Sequence, residues 1–406
     1  MKVLIIEPEF EGHHISLYIR SLVKEFKKNK VDYRLLTTKK TINSIPYKII
    51  NKEFKLKKKT IESVGIIKSK NVSFINLLLY QIKYFFFIKR NISKVKKKFK
   101  FDVIYFGHLD PFFFIFALWS NFIGHKNITG LLCNIRFYQS EFKIKKFQLV
   151  DLVKKYLFIV FLKSKVIKKI FIIDELFNLY LNRNIKNKTY LKKVCHVPEA
   201  GKLKKISKQK NFKKEMGIKK KDKIILLYGD IKKRKGVLEL LKLCENKKMP
   251  KNIKVVIAGK QSREVSSIIN KINYKKLLSN QVYIINKFIN FEEEGRLFSI
   301  SDLIWLAYSG GSDGSSGVLK QASISGKPII ESGRGLISWI NDKYKIGIKI
   351  KLDNINYSII KISNVLSDKK KYKFFKKNII NYKKKFNPIY FSRNIYKEII
   401  RIRLDT

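Results

Sequence analysis

The sequence predicts an α/β protein of two domains in tandem, and three observations predict it. At 406 residues the chain is long for one hydrophobic core and comfortable for two. In both halves short, β-rich apolar runs alternate with segments of helical spacing, the pattern of parallel sheets covered by helices on both faces. Between the halves, "GKLKKISKQKNFKKEMGIKKKDK" at 201–223 is polar and lysine-rich with no long apolar run, which marks a boundary.

In the first half, "KVLIIE" reads as a strand, "PEFEGHH" as a loop and "ISLYIRSLVKEFKK" as a helix. "YRLLTT" is the next strand, and "FDVIYFGHLD" (101–110) is a buried one with polar residues at its carboxyl end. "NITGLLCNI" and "KKIFIIDE" repeat the pattern. Ligands of open parallel sheets bind beyond the carboxyl ends of the strands. His13, His14, His108 and Asp110 all fall at such ends.

The second half runs as a strand "KIILLYGD", a helix "KGVLELLKLCEN", a strand "IKVVIAGK" and a further helix. A strand "QVYIINKF", a helix "NFEEEGRLFSISD" and a strand "LIWLAY" follow. A glycine- and serine-rich loop, a helix beginning near Val318 and a strand "KPIIES" complete the series. "NPIYFSRNIYKEIIRI" near the C-terminus reads as a last helix.

Composition excludes several classes. A hydrophobic fraction of 45% with 13% aromatic residues belongs to a packed protein rather than a disordered one. The 89 basic against 31 acidic residues give a net charge of +58, which attracts any polyanion. Lysine far outnumbers arginine, however, and it is spread over the whole chain with isoleucine and asparagine, as a general composition bias would spread it. The runs "KEFKKNK" and "KLKKK" contain no arginine, whose planar fork suits phosphates and guanine edges. Nucleic acid is therefore a minor expectation.

Three widely spaced cysteines, Cys133, Cys195 and Cys244, form neither a disulfide framework nor a zinc site, which fits a reducing, cytoplasmic setting. "MKVLIIEPEF" is too short and too soon acidic for a signal peptide. "PFFFIFALWSNFIG" (111–124) falls short of the roughly 20 residues of a membrane helix. The segment 75–101 interleaves leucine and aromatic residues with lysine and has a basic tail. It reads either as an interfacial helix on an anionic leaflet or as a helix whose apolar side is core. "LVKKYLFIVFLKSKVIKK" (152–169) is a weaker candidate of the same type.

"SGGSDGSSGVLKQASISGKPII" (309–330) holds a dense cluster of small residues between a strand and a helix. Gly314, Ser315, Ser316 and Gly317 would offer backbone N–H groups at a helix N-terminus, where orphan donors and partial positive charge suit a phosphate. A structural turn is the alternative. "LLYGDIKKRKGVLELL" (226–241) has the same grammar. A strand ends at Gly229, and Arg234 and Lys235 stand just before a helix, placed to meet a diphosphate.

These motifs, in this order and spacing, resemble the retaining nucleotide-sugar glycosyltransferases of GT-B fold (glycosyltransferase family 4, group 1). The resemblance covers roughly 190–345 and rests on "YGDIKKRKG", "VVIAG", "EEEGRLFSISDLIWL" and "DGSSGVLKQASISGKP". It implies an α/β, GT-B chain: two Rossmann-like domains facing across a cleft. Residues 1–205 would bind acceptor, 206–385 would bind the nucleotide sugar, and a C-terminal helix, 386–406, would cross back to the first domain.

Residue by residue, the resemblance places Lys235 on the donor diphosphate and Asp313 at the donor sugar, with Gln321 on the ribose. Ser316 and Gly317 face the distal phosphate, and Phe288 and Ile289 lie near the base. The N-terminal loop with Gly12, His13 and His14 is the acceptor-side counterpart of the family's glycine loop. The sequence departs from the family in having Asp313 and Gln321 at two glutamate positions and Asp230 at the basic loop's usual arginine. The family also carries an N-terminal histidine. Asn134 stands where one is expected, and His108 and His13 are the alternatives.

The implied activity is transfer of a sugar, with retention, from a nucleoside diphosphate sugar of UDP or GDP type to a cell-surface glycan or lipid-linked acceptor. A cytoplasmic site, peripheral on the inner face of an anionic membrane, is expected. No cofactor and no metal are expected. A catalytically silent GT-B subunit is the alternative.

Overall fold

The computed structural model describes residues 1–7, 14–55, 74–201, 212–271, 281–310 and 316–404. Residues 202–211 of the lysine-rich boundary segment, the N-terminal glycine loop and the centre of the 309–317 loop lie outside these. The chain forms two compact units, Met1–Ala200 with Asn387–Thr406, and Gly201–Phe386.

The first unit is a six-stranded, all-parallel sheet. Its strands are β1 (Lys2–Ile6), β2 (Asp32–Leu36), β3 (Val103–Phe106), β4 (Ile128–Leu132), β5 (Ile167–Ile172) and β6 (Val194–His196). They lie in the order β2-β1-β3-β4-β5-β6. The central strands are buried along their whole length because helices cover both faces. The order reverses between β1 and β3, which opens a crevice at their carboxyl ends. The sequence reading missed β6, whose "VCH" is too short to carry a periodicity.

The last helix, Pro388–Leu404, belongs to this unit. Phe391, Ile395 and Ile399 recur at four-residue spacing and are fully buried with Leu22, Val23 and Phe26 of the first helix.

The helix Phe74–Lys98 uses its apolar face as core. Tyr84 stacks on Phe112 at 4.5 Å, Phe85 meets Phe116 edge-on at 5.7 Å, and Ile88 and Ile92 are buried. Among its described side chains Leu79 and Phe86 are the large apolar ones left exposed. No helix of the described residues is long and apolar enough to cross a membrane.

The second unit repeats the plan. Its strands are β7 (Lys223–Tyr228), β8 (Ile253–Ala258), β9 (Val282–Ile285), β10 (Leu303–Leu306), β11 (Ile329–Glu331) and β12 (Gly347–Lys349). All are parallel, in the order β12-β11-β10-β7-β8-β9. The reversal falls between β7 and β10, so the carboxyl ends of "KIILLY" and "LIWL" flank the switch point. Both ends of this unit meet: the Gly201 amide donates to the Phe386 carbonyl at 3.2 Å.

Candidate functional site

At the switch point of the second unit the chain leaves β7 through Gly229, turns through a short 3-10 segment, Lys233–Lys235, and enters the helix Val237–Glu245. Gly236 makes that turn at φ +69°, in the left-handed region. A β-carbon there would lie 2.2 Å from the Ala307 carbonyl oxygen, so this loop packs backbone to backbone against the end of β10. The Trp305 indole donates to the Lys235 carbonyl at 3.0 Å, and the Ser309 amide donates to the Arg234 carbonyl at 3.0 Å. The basic loop is thus fixed from two sides.

The consequence is an ammonium held in the protein. Lys235 is only 7% exposed, and its Nζ donates to the Tyr228 carbonyl at 2.8 Å. A β-carbon on Gly229 would come 2.9 Å from that Nζ, so glycine is what lets the charge sit over the end of β7. Burial, with Arg234 adding repulsion, pushes the Lys235 ammonium down to about 8. Among the described residues no carboxylate pairs with it. Arg234 itself is exposed, and Asp230 is tied to Lys232 at 2.7 Å on the surface.

Across the crevice stands the helix Gly317–Ser325, capped by Ser316, whose hydroxyl accepts from the Leu319 amide at 3.4 Å. Ser316 also shares a hydrogen bond with the Tyr308 hydroxyl at 3.1 Å, and Tyr308 is held in turn by Ser332, which donates to its carbonyl at 2.7 Å. Val318 faces Gly229, with 3.8 Å between its methyl and a β-carbon placed there. The N-terminus of this helix and the Lys235 ammonium therefore border one space. Gln321 is half-buried, one helical turn beyond Gly317. Asp313, Gly314 and Ser315 lie outside the described residues.

Sequence reasoning missed several contributors. Tyr308 and Trp305 read only as the end of an apolar strand, and Lys320 was not singled out, yet all three are buried. Glu331, at the end of β11, is also buried. It accepts from the Gly333 amide at 2.5 Å and the Asn341 amide at 3.2 Å, and burial holds its carboxyl above the usual range. An acid closing an apolar run, as in "KPIIES", was the available signal.

Two strands away, Lys260, Gln261, Arg263, Asn286, Lys287 and Phe288 border an open pocket of about 530 Å³ beyond β8 and β9. Phe288 is 83% exposed on its rim, whereas Ile289 is buried beneath. The Asn286 side-chain carbonyl accepts from the Gln261 amide at 2.9 Å, joining the two strand ends.

The first unit has its own cluster at its switch point. The His14 and His108 rings lie 4.2 Å apart, tilted by 33°. His14 Nδ1 is 3.6 Å from the Glu7 carboxylate, and His108 Nε2 is 3.0 Å from that of Asp110. Asp110 accepts the amides of Cys133 at 2.8 Å and Asn134 at 2.6 Å, so the position expected for a histidine joins the same cluster through its backbone. Burial acts to raise Asp110, but the His108 imidazole and these amides outweigh it and hold the carboxyl low. Gly12 and His13 lie outside the described residues.

Residues 208–382 match the family model of glycosyl transferases group 1. Solved structures resemble the chain over nearly its whole length. HepE of Anabaena, in complex with UDP, is 11% identical with a TM-score of 0.66, covering 99% of this chain and all of that one. Sucrose-phosphate synthase of Thermosynechococcus elongatus is 13% identical with a TM-score of 0.68, covering both chains fully. A glycosyltransferase of Rickettsia africae is 16% identical with a TM-score of 0.67, covering 100% of this chain and 99% of that one. At such identities the likeness is one of fold, and the fold is GT-B, two Rossmann-like units. No curated protein matches the sequence.

Proposed function

We propose that the chain is a retaining glycosyltransferase that moves a sugar from a nucleoside diphosphate sugar to a cell-surface glycan or lipid-linked acceptor, at the cytoplasmic face of an anionic membrane. The observation that carries this reading is the buried Lys235 ammonium beside the Ser316-capped helix, because a desolvated cation next to a helix N-terminus calls for an anion and suits the phosphates of a nucleotide sugar. The group 1 match and the UDP carried by HepE support a nucleotide-sugar donor, and UDP is the first to try.

In the proposed reaction the acceptor hydroxyl bonds to the anomeric carbon as the bond from that carbon to the diphosphate breaks on the same face, and the hydroxyl proton passes to the departing phosphate oxygen. Lys235, the backbone amides at 314–317 and Arg234 take up the charge that develops on the leaving oxygen, the largest single contribution a protein makes to such a step. Asp313 is assigned to the donor sugar, Gln321 to the ribose, and Phe288 and Ile289 to the base. His108, oriented by Asp110, and the His13–His14 segment are assigned to the acceptor side. No resident metal is invoked.

A second reading, a silent subunit that binds acceptor or partner, is favoured by Gln321 and Asp230, which stand where the family has a glutamate and an arginine. Thermal shift with UDP, GDP, CMP and ADP, in magnesium and in EDTA, tests binding, since a ligand of the native state raises the midpoint. Turnover of the matching sugar nucleotide then tests the enzyme. A shift without turnover, with turnover gained by Gln321→Glu and Asp230→Arg together, selects the silent subunit. A flat panel removes the donor-site reading.

A further inference from the structure

We infer that the first two turns of the helix Leu149–Lys163, with the residue before its cap, form the surface by which the chain docks on anionic lipid; this rests on the peripheral-membrane reading above. The helix has two apolar faces. Phe158, Phe161 and Leu162 form one, and they are buried, with Phe113 against both phenylalanines at 6.3 and 5.7 Å. Leu149, Leu152, Val153 and Tyr156 form the other at i, i+3, i+4 and i+7, on the opposite side.

That second face is in solvent. Leu149 is 78% exposed and Tyr156 68%, with Leu152, Val153 and the preceding Phe147 each about half exposed. Five large apolar side chains side by side are not the scattered exposure that every surface carries. Nor is the face an artefact of a loose helix. The Gln148 amide donates to the Asp151 carboxylate at 3.2 Å, and Asp151 is buried and paired with Lys145 at 2.6 Å.

Charge names the occupant. Both acids near the face are already matched, Asp151 by Lys145 and Glu141 by Lys155 at 3.6 Å. Lys143 and Lys146, in the segment leading into the helix, are exposed and make no ion pair among the described residues. An apolar stripe bordered by uncompensated lysines, with a tyrosine at its edge, matches the interface of an anionic leaflet: acyl chains for the stripe, head-group phosphates for the lysines. The helix Phe74–Lys98 offers less, because its apolar face is spent on the core.

The test is co-sedimentation of the full chain with vesicles of phosphatidylcholine alone and with phosphatidylglycerol added. Leu149→Glu/Leu152→Glu is compared with Leu79→Glu/Phe86→Glu. All four positions are exposed, and the UDP thermal shift checks that the variants fold. The wild type is expected to bind only the anionic vesicles. The first variant should lose at least tenfold in partitioning, and the second should keep it within twofold. Wild-type protein that ignores both vesicles overturns the peripheral reading and this surface with it. Anionic binding that survives Leu149→Glu/Leu152→Glu overturns this surface alone, and so does a wild-type dimer that this variant converts to monomer without loss of vesicle binding.

Discussion

The Lys235 ammonium donates to the carbonyl of Tyr228, seven residues back, at 2.8 Å, and this contact turns a basic loop into an enclosed positive charge. One neutral carbonyl does not replace the water that a protonated amine gives up. The ligand-free second unit therefore carries a penalty that an anionic ligand relieves.

The penalty is measurable. With the folded value near 8 against an ordinary 10.5, keeping Lys235 charged costs on the order of 3 kcal/mol at neutral pH. The folded value is depressed, so the unfolded chain holds the proton more tightly. The cost is full below pH 8 and fades as pH rises from 8 towards 10.5. Lys235→Met, which keeps the stem, is expected to melt higher than wild type at pH 7, with the difference shrinking by pH 10. The same variant should lose UDP binding and at least about 100-fold in transfer. Retained transfer would sink the site assignment.

Binding should follow the same proton. Between pH 7 and 8 the ammonium is in place and UDP affinity is expected to be flat. Above 8 the site must take up a proton to bind, and affinity should fall up to about tenfold per pH unit. Calorimetry in buffers of different ionisation enthalpy at pH 8.5 should register that uptake, and Lys235→Met should abolish it.

Gly236→Ala combines a left-handed backbone with a β-carbon 2.2 Å from the Ala307 carbonyl. It is expected to destabilise the second unit by on the order of 3 kcal/mol, read as a lower denaturation midpoint. The first unit's transition should move less.

Ser316→Ala removes the cap of the helix Gly317–Ser325 and the partner of the Tyr308 hydroxyl. A stability loss of about 1 kcal/mol is expected. The UDP dissociation constant should rise more than that figure implies if Ser316 also faces phosphate, and Tyr308→Phe separates the two contributions.

Much of this was legible in the chain, for local reasons. Strand, glycine, basic loop and helix follow one another within sixteen residues at "LLYGDIKKRKGVLELL", so Gly229 and Lys235 announced their place. Trp305 and Tyr308 did not, because their hydrogen bonds reach residues 70 positions away or across a loop, and periodicity carries no information on such pairs. The helix 74–98 shows the limit from the other side. Its composition fits a bilayer interface and a core face equally well, and only Tyr84 on Phe112 and Phe85 on Phe116 decide for the core. The exposed stripe at 149–156 was legible only in part, as the segment 152–169, since apolar residues on both sides of one helix cancel in any simple periodicity.

The bond between the Gly201 amide and the Phe386 carbonyl bears on how the chain folds. The helix Pro388–Leu404 must find Leu22 and Phe26 across the entire second unit, and as a flexible loop that span would cost conformational entropy that grows with its length. Once the second unit has folded, its two ends are neighbours, and the loop that remains is no longer than a tight turn. Folding of the inserted unit should therefore come first and lower the barrier for the terminal helix, so that Gly236→Ala, by destabilising the second unit, slows docking of that helix in refolding.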